Sequence, residues 1–283
     1  MDIVPITLQR VSNVATLPAI ALRIIRIAEN PTATSDELHD VLKSDPALAA
    51  RVLKVVNSAF YGRPRQVAST SAAIQLLGVS AIRNIAVAAS LTRMFRGGRH
   101  LVGFDASALW VHSVAVGAAA KRLAELSNTV PPEEALLAGL LHDIGVLVSM
   151  QAWMPEFSAV VAATSADPAL PFEEAETQIV GADHEQFGEA LCEQWRFPNT
   201  FSLVCGHHHD PLALPAAQRA LPVLVHAADI IAARAGIGFC RTVQTHVLAP
   251  AILQELGLTE QQVRTVEDAL TSDFSQAMTL FAA

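Results

Sequence analysis

Apolar residues in this chain recur three and four positions apart rather than two, the period of helices. Residues 17–29, LPAIALRIIRIAE, carry that spacing after a proline start. Thr34 and Glu37 have the spacing of a capping box opening a helix that runs through Lys43. Asp45-Pro46 closes it and begins another, PALAARVLKVVNS. Tyr61-Gly62-Arg63-Pro64 reads as a loop. A short helix over 69–77 stops at Gly78, and a longer one runs from Ser80 to Phe95 before Gly97-Gly98. Near Asp105 a long helix begins, covering Ala106 to Leu126. Pro131-Pro132-Glu133-Glu134 opens the next, with acidic side chains where the helix dipole favours them. The amphipathic segment 184–195 ends before Pro198, and 199–209 ends before Asp210-Pro211. Residues 221–235 read as one apolar helix, and Thr259 with Gln262 caps a last helix. No sustained strand alternation, fixed-period repeat or low-complexity tract is found. The pattern predicts an all-α fold in two packed helical subdomains, 1–105 and 106–283, the second with a C-terminal helical extension.

Composition supports this. The chain is 52% hydrophobic but only 5% aromatic, dominated by Ala, Leu and Val, which favours helices. Its 283 residues suffice to bury a core in one or two domains. The opening MDIVPITLQR has neither the charged nor the apolar region of a signal peptide. The longest apolar run, ALLAGLLHDIGVLVSM, is interrupted by His142-Asp143, so no membrane insertion is expected. Cys192, Cys205 and Cys240 show no paired spacing, as expected of a reducing cytoplasm. The net charge of −8 hides an asymmetry. Residues 1–105 carry 12 Lys and Arg against 7 Asp and Glu, whereas 106–283 carry 7 against 20. The acidic half is a poor nucleic-acid surface, and no DNA partner is expected.

The chemistry concentrates in that acidic half. His112, the pair His142-Asp143, His184, the run His207-His208-His209 and Asp229 can all bind metal. A His-Asp pair inside an apolar run is costly to bury unless something pairs with it. Imidazole and carboxylate together suit borderline cations such as Fe, Mn or Zn. The alternative is a set of buried groups hydrogen-bonded to one another or to backbone. For His184 the alternative is an exposed helix-start residue capped by Asp183. His207 and His208 would complete a second site with His184, while Asp210 turns His209 towards water. Otherwise the three histidines form a polar helix end. His226, three residues before Asp229, either orients it or packs in the core. Two basic groups could dock a phosphate or an acidic partner: Arg51, Lys54, Arg63 and Arg65, and Arg93, Arg96, Arg99 and His100. The competing reading is a solvated face.

The order His, His-Asp, His, His-His, Asp resembles that of the HD superfamily of metal phosphohydrolases. The first half narrows the resemblance. Leu17-Pro18, residues 44–48 (SDPAL), 53–58 (LKVVNS), Tyr61-Gly62 and 73–78 (AIQLLG) are similar in order and spacing to the HDOD family. Trp110-Val111-His112, residues 139–145 (GLLHDIG) and His184 through Trp195 with Pro198 continue it. The resemblance implies an all-helical bacterial signalling domain acting mainly by binding protein partners, with Asn57 capping or bridging backbone. It implies metal ligands at His112, His142, Asp143, His184, His207, His208 and Asp229, holding one or two divalent ions in a structural or sensory role.

Related HD-GYP domains hydrolyse cyclic di-GMP, and three departures from them stand out. Their HDxGK run is here His142-Asp143-Ile144-Gly145-Val146, with valine for the lysine. The GYP loop is replaced by His209-Asp210-Pro211-Leu212, and the Glu one turn before the first His is Ala108. Two alternatives stay open: a phosphohydrolase of cyclic di-GMP or another phosphate ester, with Asp143 bridging the ions, and a cyclic dinucleotide receptor that does not cleave. The sequence contains no receiver or GGDEF segment, so signals are expected to pass through non-covalent partners, a homodimer being one option.

Overall fold

The computed structural model describes residues 3–11, 17–29, 34–58, 66–95 and 101–281. The Tyr61–Pro64 loop, Arg65, the Gly97-Gly98 stop and the Arg96, Arg99 and His100 group lie outside the described residues, as does the Arg93 side chain. Among the described residues the structure is all-α, without a strand. The helices of the first half are α1 (Ile3–Val11), α2 (Ala19–Glu29), α3 (Ser35–Lys43), α4 (Pro46–Val56), α5 (Thr70–Leu77) and α6 (Val79–Leu91). There follow α7 (Ala106–Ser127), α8 (Pro132–Leu141), α9 (Ile144–Ala152), α10 (Met154–Ala166), α11 (Phe172–Ile179) and α12 (His184–Gln194). The chain ends with α13 (Asn199–His207), α14 (Ala220–Arg234), α15 (Pro250–Leu256) and α16 (Glu260–Phe281).

Local chemistry sets these boundaries. Thr34 and Glu37 form the reciprocal capping box at the start of α3. Asp45 accepts from the Leu48 N–H and caps α4, with Pro46 in its first turn. Gly78 separates α5 from α6 with φ of +87°, a conformation open to glycine. Asn57 closes α4 and bridges backbone, donating from Nδ2 to the Val67 carbonyl (2.9 Å) and accepting the Val67 N–H at Oδ1 (2.6 Å). The helix expected through Phe95 tightens into a 3₁₀ turn over Thr92–Met94. The segment Pro132–Ala152 is long and apolar enough to cross a membrane, yet most of it is buried inside the bundle. It also breaks, with His142 ending α8 and Asp143 preceding α9.

Helix α7 is the central strut, packed against α8, α14 and α16, and one apolar core runs through both halves of the chain. Helix α1 packs on α9 and α12. There Trp153 Nε1 donates to Thr7 Oγ1 at 2.7 Å, and the Arg10 guanidinium lies 3.6 Å from the Trp153 ring centre. Helix α16 is tied to α7 by a two-pronged Arg122–Asp273 pair, 2.9 Å on each arm. Its Phe281 carbonyl accepts from Thr92 Oγ1 and Trp110 Nε1. Lys54, from the first basic group, donates to the Thr279 carbonyl at 3.0 Å.

Two glycines of the 139–145 motif act by close approach. A Cβ on Gly139 would stand 2.7 Å from the Gly117 Cα of α7. A Cβ on Gly145 would stand 1.9 Å from the His184 carbonyl oxygen and 2.7 Å from the Gly188 nitrogen of α12. These crossings seat the His142-Asp143 break against α7 and α12. Gly145→Ala is therefore expected to destabilise the protein by on the order of 3 kcal/mol, since backbone cannot yield as a side chain would. Urea unfolding checks this, and an unchanged midpoint would refute the close α9–α12 crossing.

Candidate metal centre

Five imidazoles and two carboxylates converge where α7, α8, α12, α13 and α14 meet. His112 comes from α7 and Asp229 from α14, joined Nε2 to Oδ1 at 2.8 Å. His142 Nε2 lies 3.7 Å from Asp229 Oδ1 and 3.4 Å from Asp143 Oδ2. Asp143 Oδ1 lies 3.5 Å from both His184 Nε2 and His208 Nε2. His112, His142, Asp143, His184 and His208 are completely buried. The donor atoms fall into two groups sharing one interior: His112, His142 and Asp229, and Asp143, His184, His208 and His209.

Hydrogen bonds behind each ring set its orientation. His142 Nδ1 donates to the Gly139 carbonyl at 2.8 Å, and His208 Nδ1 to the Val204 carbonyl at 3.1 Å. His112 Nδ1 bonds the Ile237 carbonyl at 3.1 Å, and His184 Nδ1 bonds Glu176 Oε2 at 2.6 Å. Every Nε2 is thus turned inward, the arrangement in which a carbonyl or carboxylate selects the metal-binding tautomer. His142 Nε2, Asp143 Oδ1 and His208 Nε2 are buried without a hydrogen-bond partner. Around an ion bonded at about 2.1 Å, neighbouring donors lie about 3.0 Å apart in an octahedron and about 3.4 Å in a tetrahedron. The spacings around Asp143 Oδ1 and His184 Nε2 have that size, so the donor set fits a divalent cation.

Protons hold this cluster together electrostatically. Burial opposes charge on His112, but the Asp229 hydrogen bond overrides it and holds the imidazole well above its ordinary value. Burial likewise opposes charge on His184, and the Glu176 carboxylate outweighs it, lifting the group to about 10. His208 is raised against burial by Asp143. Asp143 resists burial through His142 and lies well below the usual carboxylate range, and Asp229 is lowered chiefly by His112. His209 is pushed down by burial and by the neighbouring His208 and His184.

Six of the seven expected residues come together, and His207 does not. It is the last residue of α13, half-buried, and outside both donor groups. His209 takes the inward place instead, its Nε2 3.0 Å from His184 Nε2 and its N–H donated to Glu185 Oε1 at 2.9 Å. The expectation that His209 faces water fails because the helix ends at His207 and the turn that follows redirects the chain. His184 does begin α12, capped by Asp183, but is buried rather than exposed. His226 supports His208 through its backbone carbonyl at 2.7 Å and makes no hydrogen bond to Asp229. Sequence reasoning also missed Glu176 behind His184 and Thr242, whose Oγ1 donates to Asp143 Oδ2 at 3.1 Å. Neither stands in a local motif with its partner.

Outside the centre a cavity of about 200 Å³ is lined by His209, Asp229, Glu173, Glu185, Asp210 and His226, among others. No lysine or arginine is among its described lining residues. Val146, the last residue of the 142–146 run, is completely buried.

A family model described as HDOD domain matches residues 14–211. An HDOD domain protein of unknown function from Geobacter sulfurreducens is 27% identical, with a TM-score of 0.81 over 99% of this chain and 98% of its own. A candidate signal transduction protein from Marinobacter aquaeolei VT8 is 26% identical, with a TM-score of 0.75 over 95% of this chain and 59% of its own. An uncharacterized protein of Treponema pallidum (strain Nichols) is 26% identical over 277 residues, 95% of this chain. The chain spans about half the length of that curated relative, 51%.

Because His112, His184 and His208 are all raised, an ion must displace protons to reach their Nε2 atoms. Cation uptake is expected to release protons and to tighten between about pH 6 and about pH 8. Titration calorimetry with Mn²⁺ in buffers of different ionisation enthalpy measures both effects. An affinity independent of pH, with no proton release, would contradict this account.

Proposed function

The chain belongs to the HDOD family, and we propose that it is a signalling output module that works by binding protein partners. In this reading a divalent ion held by Asp143, His184, His208 and His209, with His112, His142 and Asp229 beside them, is structural or sensory. The observation that carries it is the contrast between centre and mouth. The interior presents donor atoms without hydrogen bonds, suited to a cation, while the cavity outside carries Glu173, Glu185 and Asp210 with no lysine or arginine among its described lining residues. A phosphodiester would approach against those carboxylates without the lysine or arginine that normally grips phosphate. The likeness to the Marinobacter signal transduction protein supports the signalling role. Fe, Mn or Zn suits the nitrogen-rich donor set.

The second reading is a metal-dependent phosphohydrolase of cyclic di-GMP or another phosphate ester. It is favoured by the two donor groups, which meet at Asp143 and open on a cavity. A bound ion supplies Lewis acidity and an acidified water. The chain's own residues would orient and desolvate the site: Gly139, Val204 and Ile237 carbonyls and Glu176 hold the rings, and Asp143 stands between the two groups. A receptor that binds a cyclic dinucleotide without cleaving it is a weaker third case, since it meets the same carboxylates.

Elemental analysis of gently purified protein beside Asp143→Ala is the test, followed by incubation of the Mn²⁺-loaded form with cyclic di-GMP. Near-stoichiometric Fe, Mn or Zn, lost in the variant, with the nucleotide left intact, is the expected result. Turnover abolished by Asp143→Ala would establish the hydrolase instead. Absence of metal from both proteins would reduce the cluster to scaffold.

A further inference from the structure

We propose that Thr242 is a positioning residue of the metal centre, delivered by a strap of residues 236–249 that closes over it between α14 and α15. The proposal rests on reading the cluster as a metal centre. The strap lies outside the 14–211 segment that the family model matches.

The strap is pinned at several points. Ile237 gives its carbonyl to His112 Nδ1. Gly238 follows with φ of +78°, and a Cβ there would stand 2.4 Å from the His112 nitrogen and 2.5 Å from the Ala108 carbonyl oxygen. That leaves glycine as the side chain able to let the strap lie this close to α7. Phe239 donates its N–H to Ala108 at 3.0 Å, and its ring meets Phe104 and Phe172 edge-on at 5.0 and 5.7 Å. Arg241 holds α10, donating to Ser165 Oγ at 2.7 Å and to the Val161 carbonyl at 3.4 Å. Directly after the last of these anchors Thr242, only 1% exposed, is directed inward with its hydroxyl on Asp143 Oδ2.

That bond breaks the equivalence of the two Asp143 oxygens. Oδ2 is taken by a donor, and Oδ1 is left without a hydrogen bond, 3.5 Å from His184 Nε2 and from His208 Nε2. A carboxylate held in the orientation it needs loses less freedom when it binds a cation. Thr242 therefore acts through Asp143 and need not touch the ion.

Calorimetric titration of metal-free protein with Mn²⁺ tests this in the wild type, Thr242→Val and Thr242→Ser, with thermal melts of each metal-free form. Thr242→Val is expected to bind about 10–100-fold more weakly, whereas Thr242→Ser, which keeps the hydroxyl, stays within about threefold of wild type. A merely structural threonine would lower the melting temperature of Thr242→Val and leave its Mn²⁺ affinity unchanged. That outcome overturns the proposal while the metal centre stands. A folded wild type that takes up no Mn²⁺ overturns both. Should Thr242→Val not fold, Thr242→Ala removes the hydroxyl without the second methyl and is read in the same way.

Discussion

Three buried polar atoms with no hydrogen-bond partner in the protein, His142 Nε2, Asp143 Oδ1 and His208 Nε2, are the constraint around which the second half of this chain is built. An unsatisfied buried polar group costs about 1–3 kcal/mol, and a charged one more. Here three stand in one interior, among rings whose other nitrogens are already committed to carbonyls or a carboxylate. Reorienting a ring to satisfy Nε2 would break the bond at Nδ1. The cluster is relieved by protons or by a cation, and it has the spacing for a cation.

Holding such a cluster requires elements that meet closely and do not move apart. The α8–α9 break sits where Gly139 lies on Gly117 and Gly145 lies on the first turn of α12. Those contacts place the His142-Asp143 pair within reach of His112, His184 and His208. Around them α16 brackets α7 through Arg122–Asp273, and α1 packs on α9 and α12 from the far end of the sequence. The core that stabilises the bundle thereby also fixes the donor distances.

The charge split along the chain takes on a location. Several of the acidic residues in excess over 106–283 line the mouth of the centre, namely Glu173, Glu185 and Asp210. A site that gathers donors for a cation and surrounds its entrance with carboxylates favours cations over phosphates.

Much of this was legible from the sequence because helix ends are local events. Thr34, Asp45, Gly78, Asp183 and Thr259 act on backbone groups within a few residues of themselves, and their spacing alone marks the boundaries. His142 and Asp143 stood out because an ionisable pair in an apolar run is costly to bury alone, and His112, His184, His208 and Asp229 through the ligand order that the sequence shares with the HD superfamily it resembles. What the tertiary structure decided is orientation. Successive residues of a helix point about 100° apart, so which two of three consecutive histidines face inward depends on where α13 ends and how the chain turns afterwards. The inward pair is His208 and His209, with His207 left at the side. Glu176 and Thr242 reach their partners, His184 and Asp143, from positions that no sequence period connects. A side chain's type follows from the sequence, but the atom it faces is set by packing between segments far apart in the chain.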